Sequence, residues 1–416
     1  MKLVSPIFLL LEEFIEYNNS LNLNADVVSA LRVLVFNNCA PSLKGGGAER
    51  TFLVYCQILY DIGFDVYAVF PERFRYKADN NLRFKTQTFK DRLNISGYTL
   101  SVFQLSKVIK DIDPDIVHLL DGLTPTDLLM AIVNRISIKK PLFVDVIALY
   151  RNPVFNLMVR FQLPFYNLFN GIAVSNPNLR KILIRWLVKP SKLLHYNPLF
   201  IDIPVPFLNE NRRVGETFNL MFIGVLDVSH SYKGLDILLK LIRHINRSNK
   251  WEHKIFLHII GGGEKLQYYK SYAEKNNLNN VTFKGYVPSI LDEFNRMDAL
   301  ILPSKRRGEG FGKVILEAVL RGLPVFVSKY AGGSYLVEDY KIGMVFDPYR
   351  IKKSEQTLYG FIHECSENNY NAYIRRFQQF ILAERDKSLN SIKSMYKLAL
   401  KREINGQDRL NNPDVP

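Results

Sequence analysis

GEGFGKVILEAVLRGLPVFV, residues 308–327, is the stretch from which the rest of this chain is best read. Glu309 and Glu317 stand eight positions apart, with the small-aromatic-small turn Gly310-Phe311-Gly312 between them. The pattern reads as loop, helix, stop and strand. The spacing predicts a helix from about Gly312 to Arg321, with Gly322 as its C-terminal stop and Pro324 just beyond. Val325-Phe326-Val327 then reads as a buried strand. A helix start offers unpaired N–H groups and the positive end of a dipole, so an anion is favoured there. Glu309 precedes that start, and Glu317 lies inside the helix among Ile315, Leu316, Ala318 and Val319. An acid with apolar neighbours is either exposed or partnered. Phosphates at the N–H groups, with a carboxylate on each side for hydroxyls, would suit a sugar nucleotide.

On these residues the stretch resembles the E-x7-E motif of retaining glycosyltransferases with the two-domain GT-B fold, the large family 4 group. An amphipathic helix with two surface glutamates would share the two acids. The turn glycines, the Gly-Leu-Pro-Val stop and the preceding Leu302-Pro303-Ser304 are what favour the resemblance. It implies an α/β chain of two Rossmann-like, doubly wound domains facing across a cleft. The expected division is residues 1–206 for the acceptor, with an extension at 1–30, then 207–380 for the nucleotide sugar. Residues 381–416 would be a helix crossing back, and a tail.

Composition agrees with two ordinary globular domains. The chain has 416 residues, 47% hydrophobic and 23% charged. Cys39, Cys56 and Cys365 form no metal-binding or redox spacing and fit a reducing compartment. No apolar run approaches the length of a membrane span, and Glu12 and Glu13 spoil the short run Ile7 to Leu11 as a signal peptide. The net charge of +15 points to anionic partners. Nucleic acid is not expected among them, because no recognition motif is present.

The first half opens with the strand Leu34 to Phe36, then KGGGAER and a helix from about Ala48 to Tyr60. This is a strand, glycine loop and helix unit of a nucleotide-type sheet. Gly46, Gly47 and Glu49 match the family's glycine-rich first loop, which faces the donor phosphates and the acceptor. Residues 71–97 show no clear period and read as a surface excursion. Asp111-Ile-Asp113 precedes a strand instead of following one, so it reads as a solvated turn, not a metal-binding D-x-D. Pro114 to His118 resembles the family's PDVVH strand, with His118 as a candidate for catalysis or for a place in the core. The next strand, Leu142 to Val146, leads to Ile147, where the family usually has an acceptor-side histidine. From Val146 to Ile201 there is no Asp or Glu, against seven Lys or Arg and many aromatics. Such a segment suits an anionic lipid–water interface.

In the second half, Leu220 to Gly224 is a strand and Lys233-Gly234 opens a helix, as in the family, where the Lys contacts the donor diphosphate. Val225 stands where the family commonly has an Arg. The resemblance also places the nucleotide base near Tyr286 and Val287. The activity it implies is transfer of a sugar, with retained configuration, from a UDP- or GDP-sugar to a glycan or lipid-linked acceptor. The protein would be cytoplasmic, peripheral to the inner face of the cell membrane. Lys233, Glu309 and His118 would serve catalysis. Gly46, Gly47, Lys233, Tyr286, Val287, Glu309, Gly310, Phe311, Gly312 and Glu317 would hold the donor, with no metal and no cofactor. Two rivals remain: a sugar-nucleotide-binding subunit without catalysis, suggested by Ile147 and Val225, and a GT-B-fold epimerase acting on the nucleotide sugar itself.

Overall fold

A computed structural model describes residues 31–39, 41, 47–79, 82–90, 94–95, 98–99, 102–120, 122, 124–146, 162–195, 214–228, 230–248, 251–287, 290–305, 311–366 and 370–411. The chain divides into two compact units: Met1–Pro204 with Glu384–Pro416, and Val205–Ala383.

Unit 1 contains the strands β1 (Arg32–Phe36), β2 (Asp65–Pro71), β3 (Lys85–Phe89), β6 (Ile116–Leu119), β7 (Leu142–Val146), β8 (Gly171–Val174) and β9 (Leu193–His195). A small hairpin, β4 (Asn94–Ile95) and β5 (Tyr98–Thr99), stands apart. The seven strands form one parallel sheet in the order β3-β2-β1-β6-β7-β8-β9. Helices α1 (Gly47–Asp61), α2 (Val102–Ile112), α3 (Pro125–Val133) and α4 (Pro177–Arg185) belong to this unit. Every residue of β6, β7 and β8 is buried, as expected of parallel strands covered on both faces. The surface excursion expected at 71–97 is corrected by β3, which pairs with β2 from Tyr67↔Lys85 to Pro71↔Phe89. Its sequence, KTQTF, has polar exposed residues because it is an edge strand, so no apolar alternation announced it.

Unit 2 contains β10 (Thr217–Ile223), α5 (Leu235–Ile245), β11 (Lys254–Ile260), α6 (Leu266–Lys275), β12 (Val281–Gly285), α7 (Leu291–Phe294) and β13 (Ala299–Leu302). It continues with α8 (Lys313–Val319), β14 (Val325–Ser328), α9 (Ser334–Tyr340), β15 (Gly343–Phe346) and α10 (Ile351–Ser366). The six strands run parallel in the order β12-β11-β10-β13-β14-β15. The order reverses between β10 and β13, so the loops leaving these two strands diverge at the carboxyl edge. Ligands of doubly wound sheets bind at such a switch point. Helix α5 buries Leu235, Leu238, Leu239, Leu241, Ile242 and Ile245, spacings of one helical face.

The last helix, α11 (Tyr370–Asn411), starts in unit 2 and ends in unit 1. Its residues Ile392, Met395 and Tyr396 are buried in the unit 1 core with Val33, Val35, Phe52, Tyr55 and Phe143. Among the described residues no helix is long and apolar enough to cross a membrane.

Candidate functional site

At the end of β10, a Cβ built on Gly224 would lie 2.8 Å from Lys233 Cδ and 3.4 Å from its Nζ. The lysine side chain is therefore laid across bare backbone at the carboxyl edge of the sheet. Lys233 ends the single turn Ser231–Lys233 immediately before α5. Gly234 has φ +79°, and a Cβ there would sit 1.9 Å from the Pro303 carbonyl oxygen. Only glycine lets this turn pack against the end of β13.

Lys305, just after β13, holds the loops together. Its N–H donates to the Tyr232 carbonyl (2.8 Å), and its carbonyl accepts from the Tyr349 hydroxyl (2.7 Å). Its ammonium pairs with Asp236 Oδ1 at 2.5 Å. The loops after β10, β13 and β15 are thus fastened at one residue. Asp227 adds a local clamp, its Oδ1 accepting from both the backbone N–H and Nδ1 of His230, each at 2.7 Å. No sequence signal pairs Lys305 with Asp236 across 69 positions, whereas Asp227 and His230 lie three apart, a spacing that could have been noticed.

The loop after β10 is also pinned to the glycine turn after β11. Leu226 N–H donates to Gly262 O (2.8 Å), and Val228 N–H to Glu264 Oε1 (3.0 Å). Gly261 has φ +135°, and a Cβ on it would come within 1.9 Å of the Gly224 carbonyl oxygen. Gly261→Ala is expected to cost about 3 kcal/mol or more, from backbone strain and overlap together. Urea unfolding should show this as a lower midpoint, with loss of ligand binding at Lys233.

The carboxyl edge carries most of the other candidates. Tyr286 follows β12 and is 82% exposed, and Val287 beside it is partly buried. Across the switch point, Phe311 is buried and Gly312 (φ +81°) begins α8. A Cβ on Gly333 would meet the Phe311 ring at 2.9 Å and its carbonyl oxygen at 3.0 Å, so that glycine makes room for the Phe311 segment. Helix α8 is shorter than the spacing predicted, ending at Val319. Gly322 (φ +72°) ends it, and Leu323 N–H returns to the Ala318 carbonyl at 2.9 Å. Glu317 lies on α8, partly exposed between buried Leu316 and Ala318. Val225 is exposed at the carboxyl edge, so no cation occupies its position, and the ammonium of Lys305 is already engaged. Gly47 opens α1 in unit 1. Gly46, Glu309 and Gly310, and likewise Asp121, Ile147, Arg306 and Arg307, lie outside the described residues.

The structure places His118 in the unit 1 core, without exposed surface. Its Nε2 is 2.7 Å from Asp145 Oδ1 on β7, and the carboxylate oxygen accepts the hydrogen bond from that N–H. Nδ1 is 2.8 Å from the Tyr55 hydroxyl on α1 and 2.6 Å from the Tyr396 hydroxyl on α11, and those hydroxyls are 2.9 Å apart. Burial pushes the Tyr396 phenol well above its ordinary range, so it remains a neutral hydrogen-bonding group. Both ring nitrogens are thus engaged within the core, which is the second of the two places the sequence allowed for His118.

Residues 210–377 match the family model of glycosyl transferases group 1. An uncharacterized 41.2 kDa protein in the cps region of Klebsiella pneumoniae is 32% identical over 139 residues, 33% of this chain and 35% of that protein. The chain thus matches about a third of that relative's length. The O-antigen chain mannosyltransferase C of Escherichia coli is 27% identical over 183 residues, 41% of this chain and 44% of that one. The crystal structure of Anabaena HepE in complex with UDP-glucose superposes with a TM-score of 0.62 at 17% identity, covering 88% of this chain and 100% of that one. At that identity the likeness is one of fold. The fold is GT-B, with two Rossmann-like parallel-sheet units.

Proposed function

We propose that the chain is a retaining glycosyltransferase, transferring a sugar from a UDP- or GDP-sugar to a glycan or lipid-linked acceptor at the cytoplasmic face of the membrane. The observation that carries this reading is Lys233, laid over Gly224 at the switch point of the unit that matches the group 1 family. A fixed ammonium at the start of α5 would stabilise the leaving diphosphate as its charge grows. Phe311 and Gly312 would contribute backbone on the other side of the switch point. Glu309 would hold sugar hydroxyls and Glu317 the ribose. Tyr286, whose ring is open to solvent, and Val287 would lie against the base. Gly46 and Gly47 would face the phosphates, and His118 would act only by positioning Asp145 and β7. A metal is not needed in this reading, because lysine and backbone N–H groups neutralise the phosphates. The bound UDP-glucose in HepE supports a nucleotide-sugar donor.

The test is a thermal-shift series with UDP-, GDP- and ADP-sugars, with and without a chelator, followed by product analysis. A donor present at a hundredfold excess over its dissociation constant adds about 2.7 kcal/mol of stability. One donor class should raise the melting temperature, unchanged by chelation, and transfer should retain the anomeric configuration. No shift with any nucleotide sugar would sink the reading. Binding without transfer would favour the non-catalytic subunit, which the exposed Val225 and the engaged Lys305 make the second reading. A changed sugar in the absence of acceptor would mean an epimerase.

A further inference from the structure

We propose that the amino edge of the unit 1 sheet, where the chain enters β7, β8 and β9, is the face that docks on an anionic lipid bilayer. This deepens the membrane part of the proposed function and is independent of the donor chemistry. The turn before β7, Asn134–Ile138 with Lys139, presents Ile136 with 73% of its surface exposed. The turn before β8, Leu163–Leu168, presents Phe165 and Leu168. The turn before β9 presents Leu187, 72% exposed. Neighbouring strands lie about 4.8 Å apart, so these three turns form one row.

The last two turns are joined directly. Asn167 Nδ2 donates to the Leu187 carbonyl at 3.0 Å, and Lys189 N–H donates to Asn167 Oδ1 at 2.8 Å. Leu187 is held at φ +69° and Lys139 at φ +58°, where a residue with a side chain is strained. Each left-handed residue ends the helical turn before it, Val188 N–H returning to the Leu183 carbonyl and Lys139 N–H to the Asn134 carbonyl, and the Leu187 side chain is left in water. Cations surround the row: Arg135 and Lys139 are exposed beside Ile136, and Arg185 and Lys189 beside Leu187. Most acids of this region are otherwise occupied, while Asp111 at the end of α2 is exposed. Asp113 pairs with Lys140 at 2.8 Å, Asp115 accepts from the Arg32 N–H at 2.8 Å, and Asp127 and Asp145 are buried. No acid occurs from Val146 to Ile201. Apolar tips on turns, set among more cations than acids, complement the head-group layer of an anionic bilayer.

The experiment is co-sedimentation of the full chain with phosphatidylcholine vesicles, with and without phosphatidylglycerol, across a salt series. Binding should require the anionic lipid and weaken with salt, leaving a salt-resistant remainder. Each cation near the surface is worth about 1 kcal/mol, so Lys139→Glu, Arg185→Glu and Lys189→Glu together should lower partitioning at least about a hundredfold. Leu187→Gly relieves the backbone strain, so it should fold at least as well as wild type and yet partition roughly tenfold less. The donor-induced thermal shift should be the same in all of these proteins, which separates this inference from the donor reading. No binding to either vesicle, equal binding to both, or unaltered binding by the charge-reversed protein overturns it. So does a concentration-dependent dimer that Leu187→Gly abolishes, since a second copy would then be the occupant.

Discussion

Lys233→Ala should lower the transfer rate about a hundred- to a thousandfold while leaving the melting temperature of the free protein nearly unchanged. The magnitude is that of removing one preorganised charge from a developing oxyanion. It is expected to be large because Val225 supplies no second cation and the ammonium of Lys305 is paired with Asp236. Stability should change little, because the side chain lies over Gly224 and is not part of the buried core. Lys233→Arg should recover only part of the rate: a planar fork cannot lie where a slender chain passes within 2.8 Å of a Cβ position. Steady-state kinetics at saturating donor, beside a melting curve, make the measurement. Wild-type rates in Lys233→Ala would move the phosphate site away from the β10–β13 switch point.

Tyr396→Ala should destabilise the protein by about 3–5 kcal/mol, the usual cost of removing a large ring from a packed core. Its ring packs edge-on to Phe64, with centroids 5.6 Å apart, and its hydroxyl lies 2.6 Å from Nδ1 of His118. Tyr396→Phe keeps the ring and loses the hydroxyl, so about 1–2 kcal/mol is expected. Urea titration, read as a shifted midpoint at constant slope, distinguishes the two. The phenol also gives a pH signature. Its folded-state value is raised by burial, so the stability it contributes is intact below the ordinary tyrosine value of about 10 and is lost as pH rises above it. That loss should be absent from Tyr396→Phe. Equal stability of wild type and Tyr396→Ala would mean that α11 does not complete the unit 1 core.

Much of the architecture was legible locally. Glycine loops, apolar runs and stops such as Gly322-Leu323-Pro324 announce parallel α/β units, because strands buried on both faces must be apolar throughout and their helices must stop within a residue or two. The same logic marks polar residues in such strands as exceptions. His118 and Asp145 were such exceptions, and their partners were not legible: Tyr55 lies 63 positions from His118 and Tyr396 lies 278. Strand β3 was missed for the opposite reason, since an edge strand exposes polar side chains and leaves no apolar pattern.

For the candidate site, Lys233 and the glycines at 224, 234 and 261 stand out in the sequence as residue types suited to a phosphate loop. Their reasons do not. Gly234 must be bare because Pro303, 69 residues later, passes against it, and Gly261 because the Gly224 carbonyl does. Local sequence carries what neighbours in the chain impose through periodicity, turns and charge. The assignment of Lys305 to Asp236, the enclosure of His118 and the row of exposed turns from Ile136 to Leu187 arise from strand order, which brings distant segments to one edge of a sheet.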